Sequence, residues 1–345
     1  MAALPSQPHY ICQRYPRFHP EPPAPSIHRP PILDPEAVNW YWDTLAPTIA
    51  ERAQAHSFFT KAQRTFLRSI TRFREWPQSD VPEVAFVGRS NVGKSSLLNA
   101  IVGADLKAHG QREKAGGGKA GELARTSKHP GHTKTMNLYG IGTVAGGGVR
   151  IRPSRGGNEH EKIVGRQGLV IVDLPGYGEG SQTEWGIEIV KYLTQRKQLR
   201  RTFILVDAYA GLKDKDRSLM ASLRLAGVPY QIILSKIDRI YLPASGVLSR
   251  VDGRKGARPI GSLPELQLKL HEIRADIQPR MGGGALGELL ACSSEVRVNG
   301  RRFGIDAVRF AILQAVGWEF ERGAGKRIYR VPTEKRPVNH KKMDA

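Results

Sequence analysis

Nine residues, Gly88-Arg89-Ser90-Asn91-Val92-Gly93-Lys94-Ser95-Ser96, restrict what this chain can become more than any other stretch. They follow an apolar run, Val84-Ala85-Phe86-Val87, and lead into Leu97-Leu98-Asn99-Ala100-Ile101-Val102, which reads as a helix. The pattern G-x-x-x-x-G-K-[ST] between strand and helix is the phosphate-binding loop. Its glycines let backbone N–H groups close around a phosphate. The helix N-terminus adds the positive end of its dipole at the same spot. Lys94 is expected to reach the β- and γ-phosphates, and the Ser95 hydroxyl to ligate Mg²⁺. The flanking strand and helix set this pattern apart from a glycine-rich turn that only caps a helix. The expectation is a nucleoside triphosphate site.

Two further patterns gain weight from their position behind that loop. Leu169-Val170-Ile171-Val172 is a continuous apolar run, as for a strand buried on both faces of a parallel sheet. It ends in Asp173-Leu174-Pro175-Gly176, where Asp173 can reach Mg²⁺ through water and Gly176 can offer its N–H to the γ-phosphate. Loss of that phosphate would release the loop, which is how such proteins switch. The strand Tyr230-Gln231-Ile232-Ile233-Leu234 then runs into Ser235-Lys236-Ile237-Asp238. Asp238 is placed to accept from guanine N1–H and N2–H₂, with the Lys236 stem along the ring. Adenine lacks those donors in that arrangement, and such a mismatch costs on the order of 10⁴-fold in discrimination. Leu289-Leu290-Ala291-Cys292 reads as a last strand, with the backbone N–H groups of Ser293 and Ser294 near guanine O6.

Helices are expected near Gln182 to Gln198, Asp216 to Leu225, along Leu266, Leu270, Ile273 and Ile277, and through Ile305, Val308, Ile312 and Val316. With the strand Thr202 to Val206 between them, this β-α alternation predicts a doubly wound sheet with right-handed crossovers. Val38 to Arg74 looks helical, with Leu45, Ile49, Phe59, Phe66 and Ile70 on its apolar side. Thr135 to Tyr139 looks like a short strand. Two Gly- and Lys/Arg-rich insertions, near 105–128 and 145–168, read as loops, and Arg239 to Leu263 as a long polar connection.

Composition sets the partners. The formal charge is +21, from 53 Lys and Arg against 32 Asp and Glu, a field that attracts polyanions, nucleic acid first. Cys12 and Cys292 form no C-x-x-C, so neither a disulfide framework nor a zinc site is supported. No apolar run is long enough for a transmembrane helix. The Pro-rich start carries Arg14, Arg17 and Arg29 against one acid before Asp34, which fits an organelle transit segment, though Ser is scarce there. Beyond Gly323 the tail is basic, as for contact with RNA phosphates.

The run Asp80 to Ala100 resembles the EngB/YihA-type GTPases of the TrmE–Era–EngA class, as do Ala124-Arg125-Thr126-Ser127-Lys128-His129-Pro130-Gly131-His132-Thr133 and Asp173-Leu174-Pro175-Gly176-Tyr177-Gly178. Trp185, Tyr192 and Leu193 fit the following helix, and the likeness runs from about His56 to Trp318. The resemblance implies a three-layer α/β GTPase domain with a mostly parallel sheet over 56–322, an extension over 1–55 and a basic tail over 323–345. It implies GTP and GDP as ligands, with Gly131, His132, Thr133, Lys134 and Thr135 added to the nucleotide contacts. Thr133, which the residues alone do not single out from Thr126 and Thr135, becomes the switch threonine and the third Mg²⁺ ligand beside Ser95 and Asp173. Lys94, Thr133 and Gly176 are then the catalytic groups. Asn91 sits where related GTPases help hold K⁺. The family implies a role in assembly of the large ribosomal subunit, with organellar, here mitochondrial, members nearest because of the N-terminal extension; a monomer is expected. Ser235 stands where Thr is usual and Cys292 where a bulkier residue is usual.

Tyr177 follows D-x-x-G where Ras-type proteins carry a water-orienting glutamine, so slow hydrolysis assisted by a partner or cation is expected. Three activities compete: a GTPase switch docking on rRNA, a nucleotide-gated binding module without significant turnover, and a P-loop ATPase or kinase. Asp238 argues against the last.

Overall fold

The apolar run ahead of the phosphate-binding loop becomes the middle of an eight-stranded sheet in a computed structural model, which describes residues 38–42, 44–103, 135–154, 160–177, 183–244, 246–251, 256–278 and 285–320. In chain order the elements are β1 (Trp40–Tyr41), α1 (Ile49–Lys61), β2 (Gln63–Ile70), β3 (Gln78–Ser79), β4 (Glu83–Gly88), α2 (Lys94–Ile101) and β5 (Met136–Gly142). There follow β6 (Arg150–Arg152), β7 (Lys162–Val164), β8 (Gly168–Asp173), α3 (Thr183–Gln195), β9 (Leu199–Asp207), α4 (Asp214–Leu225) and β10 (Tyr230–Ser235). The last are β11 (Leu248–Arg250), α5 (Leu263–Ile277), β12 (Glu288–Ala291), β13 (Val296–Val298), β14 (Arg301–Arg302) and α6 (Ile305–Ala315).

The large sheet runs β1-β12-β10-β9-β4-β8-β5-β2. Its five inner strands β12, β10, β9, β4 and β8 are parallel, while β1, β5 and β2 join antiparallel at the edges. Period-two alternation sends each inner strand to two cores. Val84, Phe86, Leu169, Ile171, Phe203 and Leu205 pack with α1, α2 and α6. Ala85, Val87, Val170, Val172, Ile204 and Val206 pack with α3, α4 and α5. A strand buried on both faces has no polar side to show, which is why these runs read as continuously apolar. The result is the expected three-layer α/β domain.

Three expectations are corrected. First, the helix expected over Val38 to Arg74 is only α1. Thr48 starts it through a reciprocal capping box, its Oγ1 accepting from Glu51 N–H at 3.2 Å and Glu51 Oε2 accepting from Thr48 N–H at 2.8 Å. Residues from Gln63 onward pair with β5 as strand β2, and tertiary pairing overrides the helical spacing. Leu45, Ile49 and Phe66 are solvent-exposed, so they form no buried stripe. Second, the folded part begins before residue 56. Trp40 pairs with Leu289 across β1 and β12, and the Arg274 guanidinium on α5 lies 5.1 Å from the rings of both Trp40 and Trp42.

Third, the 145–168 insertion is not all loop. β7 pairs with β3 on one side and β6 on the other, making a small three-stranded sheet. Ile163 and Val149 are buried against the main core and Ile151 packs on it. Arg150, Arg152 and Lys162 alternate onto the opposite face, where both arginines are exposed. The connection Arg239 to Leu263 likewise contains β11, paired with β13 of a second small sheet. The other insertion, the N-terminal segment to residue 37 and the basic tail lie outside the described residues. Among the described residues no helix is long and apolar enough to cross a membrane.

Candidate nucleotide-binding site

β4 is flanked by β8 on one side and β9 on the other, so the chain reverses its direction of sheet growth at β4. In open α/β sheets the crevice outside the strand C-termini at such a reversal is where ligands bind. The phosphate-binding loop leaves β4 there. Asn91 takes φ +63° and Gly93 φ +95°, the second a left-handed turn that a side chain would strain, immediately before α2 begins at Lys94. Val92 is buried and ties the loop to the core, while Ser95 and Ser96 are half-buried in the first turn of α2. The helix N-terminus therefore opens into the crevice.

Asp173, the last residue of β8, forms a buried ion pair with the Lys94 ammonium. The two loops expected to share the phosphates thus meet at this pair. Leu174 N–H donates to Phe86 O at 3.0 Å and its side chain is fully buried, which anchors Asp173-Leu174-Pro175-Gly176 at its root. A Cβ at Gly176 would lie 3.1 Å from Ser90 Oγ and 3.2 Å from Ser90 N, so a side chain here would require the phosphate loop to give way. Tyr177 N–H donates to Gly88 O and Ser90 N–H to Tyr177 O, both at 3.2 Å. The Tyr177 hydroxyl donates to Asp216 Oδ1 on α4 at 2.6 Å. Burial, and then that bond, push its pKa far above the usual tyrosine range, so it stays a neutral donor.

At the base end, Ser235 Oγ donates to Val92 O at 2.6 Å. Lys236 adopts φ +58° and sends its ammonium to Asn91 O at 2.7 Å and Asp207 Oδ2 at 2.8 Å. Its stem passes 3.6 Å from where a Gly93 Cβ would stand. Ile237 is buried and its N–H donates to Cys292 O, joining the base-end loop to the end of β12. Asp238 is half-buried on a 3-10 turn. Burial, and then the nearby Asp238 charge, push the Cys292 thiol up to about 12, so Cys292 is an inert wall. Ser293 is corrected as a donor to guanine O6: its N–H is already bonded to Phe303 O at 2.9 Å, and its hydroxyl accepts from Glu295 and Val296. The Ser294 N–H has no partner among the described residues and is the one left for that contact.

Gly131, His132, Thr133 and Lys134 lie outside the described residues; Thr135 is described, its hydroxyl donating to Asn137 Oδ1 at 3.1 Å. Sequence reading missed Asp207, Asp216 and Arg309. Burial alone would raise the Asp207 carboxyl, but bonds from Lys236, Ala210 and Tyr209 hold it below the ordinary range. Arg309 on α6 is buried and donates to Ala100 O at 3.1 Å and Ile101 O at 2.7 Å, satisfying carbonyls at the end of α2. Asp306 pairs with the same guanidinium at 2.7 Å, and His56 with Asp306 at 2.9 Å. The far end of the phosphate-loop helix is thereby fixed to the domain.

Ser95 and Asp173 supply a hydroxyl and a carboxylate, hard oxygen donors that fit Mg²⁺, and the Lys94–Asp173 pair sets them on the two loops that meet there. Among the described residues no group of three or more His, Cys, Asp or Glu forms a self-sufficient metal cage. Mg²⁺ in such a site is completed by substrate phosphates and water, and would neutralise charge on the β- and γ-oxygens.

A phosphate loop whose lysine meets D-x-x-G, cross-tied by a lysine to a base-end aspartate loop on this sheet, defines a P-loop GTPase. A family model described as "50S ribosome-binding GTPase" matches residues 83–236. The probable GTP-binding protein EngB of Mesorhizobium japonicum is 32% identical over 231 residues, 64% of this chain and 94% of that protein. Its namesake from Rhizobium etli is 32% identical over 262 residues, 74% and 94% of the two chains. Among solved structures, a probable GTP-binding protein engB is 17% identical over 68% of this chain and 98% of that one, with a TM-score of 0.36, too low to add weight. The chain belongs to the EngB family of GTP-binding proteins.

Proposed function

We propose that this GTPase is a switch in assembly of the large ribosomal subunit in mitochondria, docking on rRNA with GTP and leaving after slow, partner-assisted hydrolysis. The observation that carries this reading is a GTPase site on a chain with a net charge of +21. Such a charge is the electrostatic footprint of a nucleic-acid partner. Support comes from the 50S ribosome-binding description of the matching family, and from the small sheet that turns Arg150 and Arg152 outward. The slow step follows from Tyr177, whose hydroxyl is committed to Asp216 and which offers no amide to orient water. The mitochondrial assignment rests on the basic, acid-poor N-terminal sequence.

Sedimentation with subunits from purified mitochondria is expected to place the protein on the large subunit with a GTP analogue and free with GDP. Absence from every ribosomal fraction would sink the assembly reading. The second reading, a nucleotide-gated module with negligible turnover, is favoured by the same Tyr177 bond. Single-turnover hydrolysis with and without subunits separates the two, since only the switch accelerates. A further expectation concerns Asn91, exposed at the loop's left-handed turn. Hydrolysis in K⁺ should exceed that in Na⁺ at equal ionic strength, and equal rates would remove the proposed K⁺ site.

A further inference from the structure

The phosphate loop, the D-x-x-G segment and α4 converge on a single carboxylate. Asp216 is fully buried. Its Oδ1 accepts from the Tyr177 hydroxyl at 2.6 Å. Its Oδ2 accepts from Lys213 N–H at 2.8 Å and lies 3.2 Å from Arg89 Nε. Arg89 in turn donates to Gly211 O at 3.2 Å. A residue that only closed the first turn of α4 would need one oxygen for Lys213 and would sit in water. Burying a carboxylate is costly unless charge and hydrogen bonds compensate it. Here the compensating groups come from the phosphate loop and from the residue after D-x-x-G.

The backbone geometry shows what this attachment does. Tyr177 N–H and Tyr177 O bond to Gly88 and Ser90, so Arg89 and Tyr177 form a short parallel bridge between the two loops. Gly176, whose N–H is to meet the γ-phosphate, is the residue immediately before that bridge. With Tyr177 hydrogen-bonded to the buried carboxylate and Arg89 ion-paired with it, both ends of the bridge are tied to Asp216. We propose that Asp216 is a positioning residue for GTP hydrolysis, acting through Tyr177 and Arg89 to hold the Gly176 peptide in register with the phosphate loop.

The test uses the full chain. Asp216→Asn keeps the volume and an acceptor for Lys213 N–H but loses the charge facing Arg89. Tyr177→Phe keeps the ring and loses the hydroxyl. The expected result is a roughly tenfold or greater fall in the single-turnover hydrolysis rate for each variant, since small misplacements at a reacting centre carry losses of that size. Fluorescent-GDP affinity should change by less than about threefold, because GDP lacks the phosphate that Gly176 meets. The double variant should be little worse than the worse single one, the mark of two groups acting as a unit. The proposal is overturned by hydrolysis unchanged in Tyr177→Phe, or by losses in the two variants that simply multiply. A pure capping function predicts parent-like hydrolysis in Asp216→Asn, which would also overturn it.

Discussion

Asp238→Asn is expected to move the protein's preference from GTP toward xanthosine triphosphate, with a loss of GTP discrimination on the order of 10⁴-fold. The carboxylate offers two acceptors to the two adjacent N–H donors on guanine. Asparagine turns one acceptor into a donor, which faces a guanine amino group and is left unpaired. Xanthine carries a carbonyl at that position and accepts from the new amide. The surroundings make the effect local. Asp238 rides a 3-10 turn over Ile237–Arg239, held by Ile237 N–H to Cys292 O, so the exchange of one atom leaves the frame intact. Competition of GTP and xanthosine triphosphate against a labelled nucleotide measures it. GTP affinity that did not move would take base reading away from Asp238.

Arg309→Ala is expected to cost about 3–5 kcal/mol of folding stability, because it leaves Asp306 an under-compensated buried charge. It also strips Ile101 O of its donor and leaves Ala100 O with the Gly103 N–H. Against a total stability of roughly 5–15 kcal/mol this is a large share. The damage should reach the nucleotide, since those carbonyls end the helix whose first residue is Lys94. Urea unfolding with and without GDP checks both parts: a lowered midpoint, partly restored by the ligand that binds only the folded state. A midpoint equal to that of the parent would mean that water or another side chain replaces the guanidinium.

The parts legible in the sequence were those whose signal is local. The phosphate loop, D-x-x-G and the inner strands β4, β8, β9 and β10 announce themselves through residue type at fixed spacing and through unbroken apolar runs. What escaped depends on partners brought from far along the chain. β6 and β7 are three-residue strands with no run of their own, formed because β3 offers an edge and the core accepts Val149 and Ile163. β2 carries helix-like spacing that pairing with β5 overrules. Asp207, Asp216 and Arg309 are single charged residues whose partners lie 29, 39 and 208 positions away, at Lys236, Tyr177 and Ile101. No spacing rule flags such a residue. Ser293 shows the converse: the motif names it, but the neighbouring Phe303 carbonyl takes its N–H first.

The Lys236 ammonium, shared between Asn91 O and Asp207, makes the two halves of the crevice one body. A guanosine triphosphate is in effect two weak ligands on a short tether, and a frame that fixes the distance between their seats turns the second docking into an intramolecular event. The gain is then avidity within one small molecule rather than any added contact, and it vanishes when the seats drift. Lys236 is therefore worth more to the whole nucleotide than to either end taken alone.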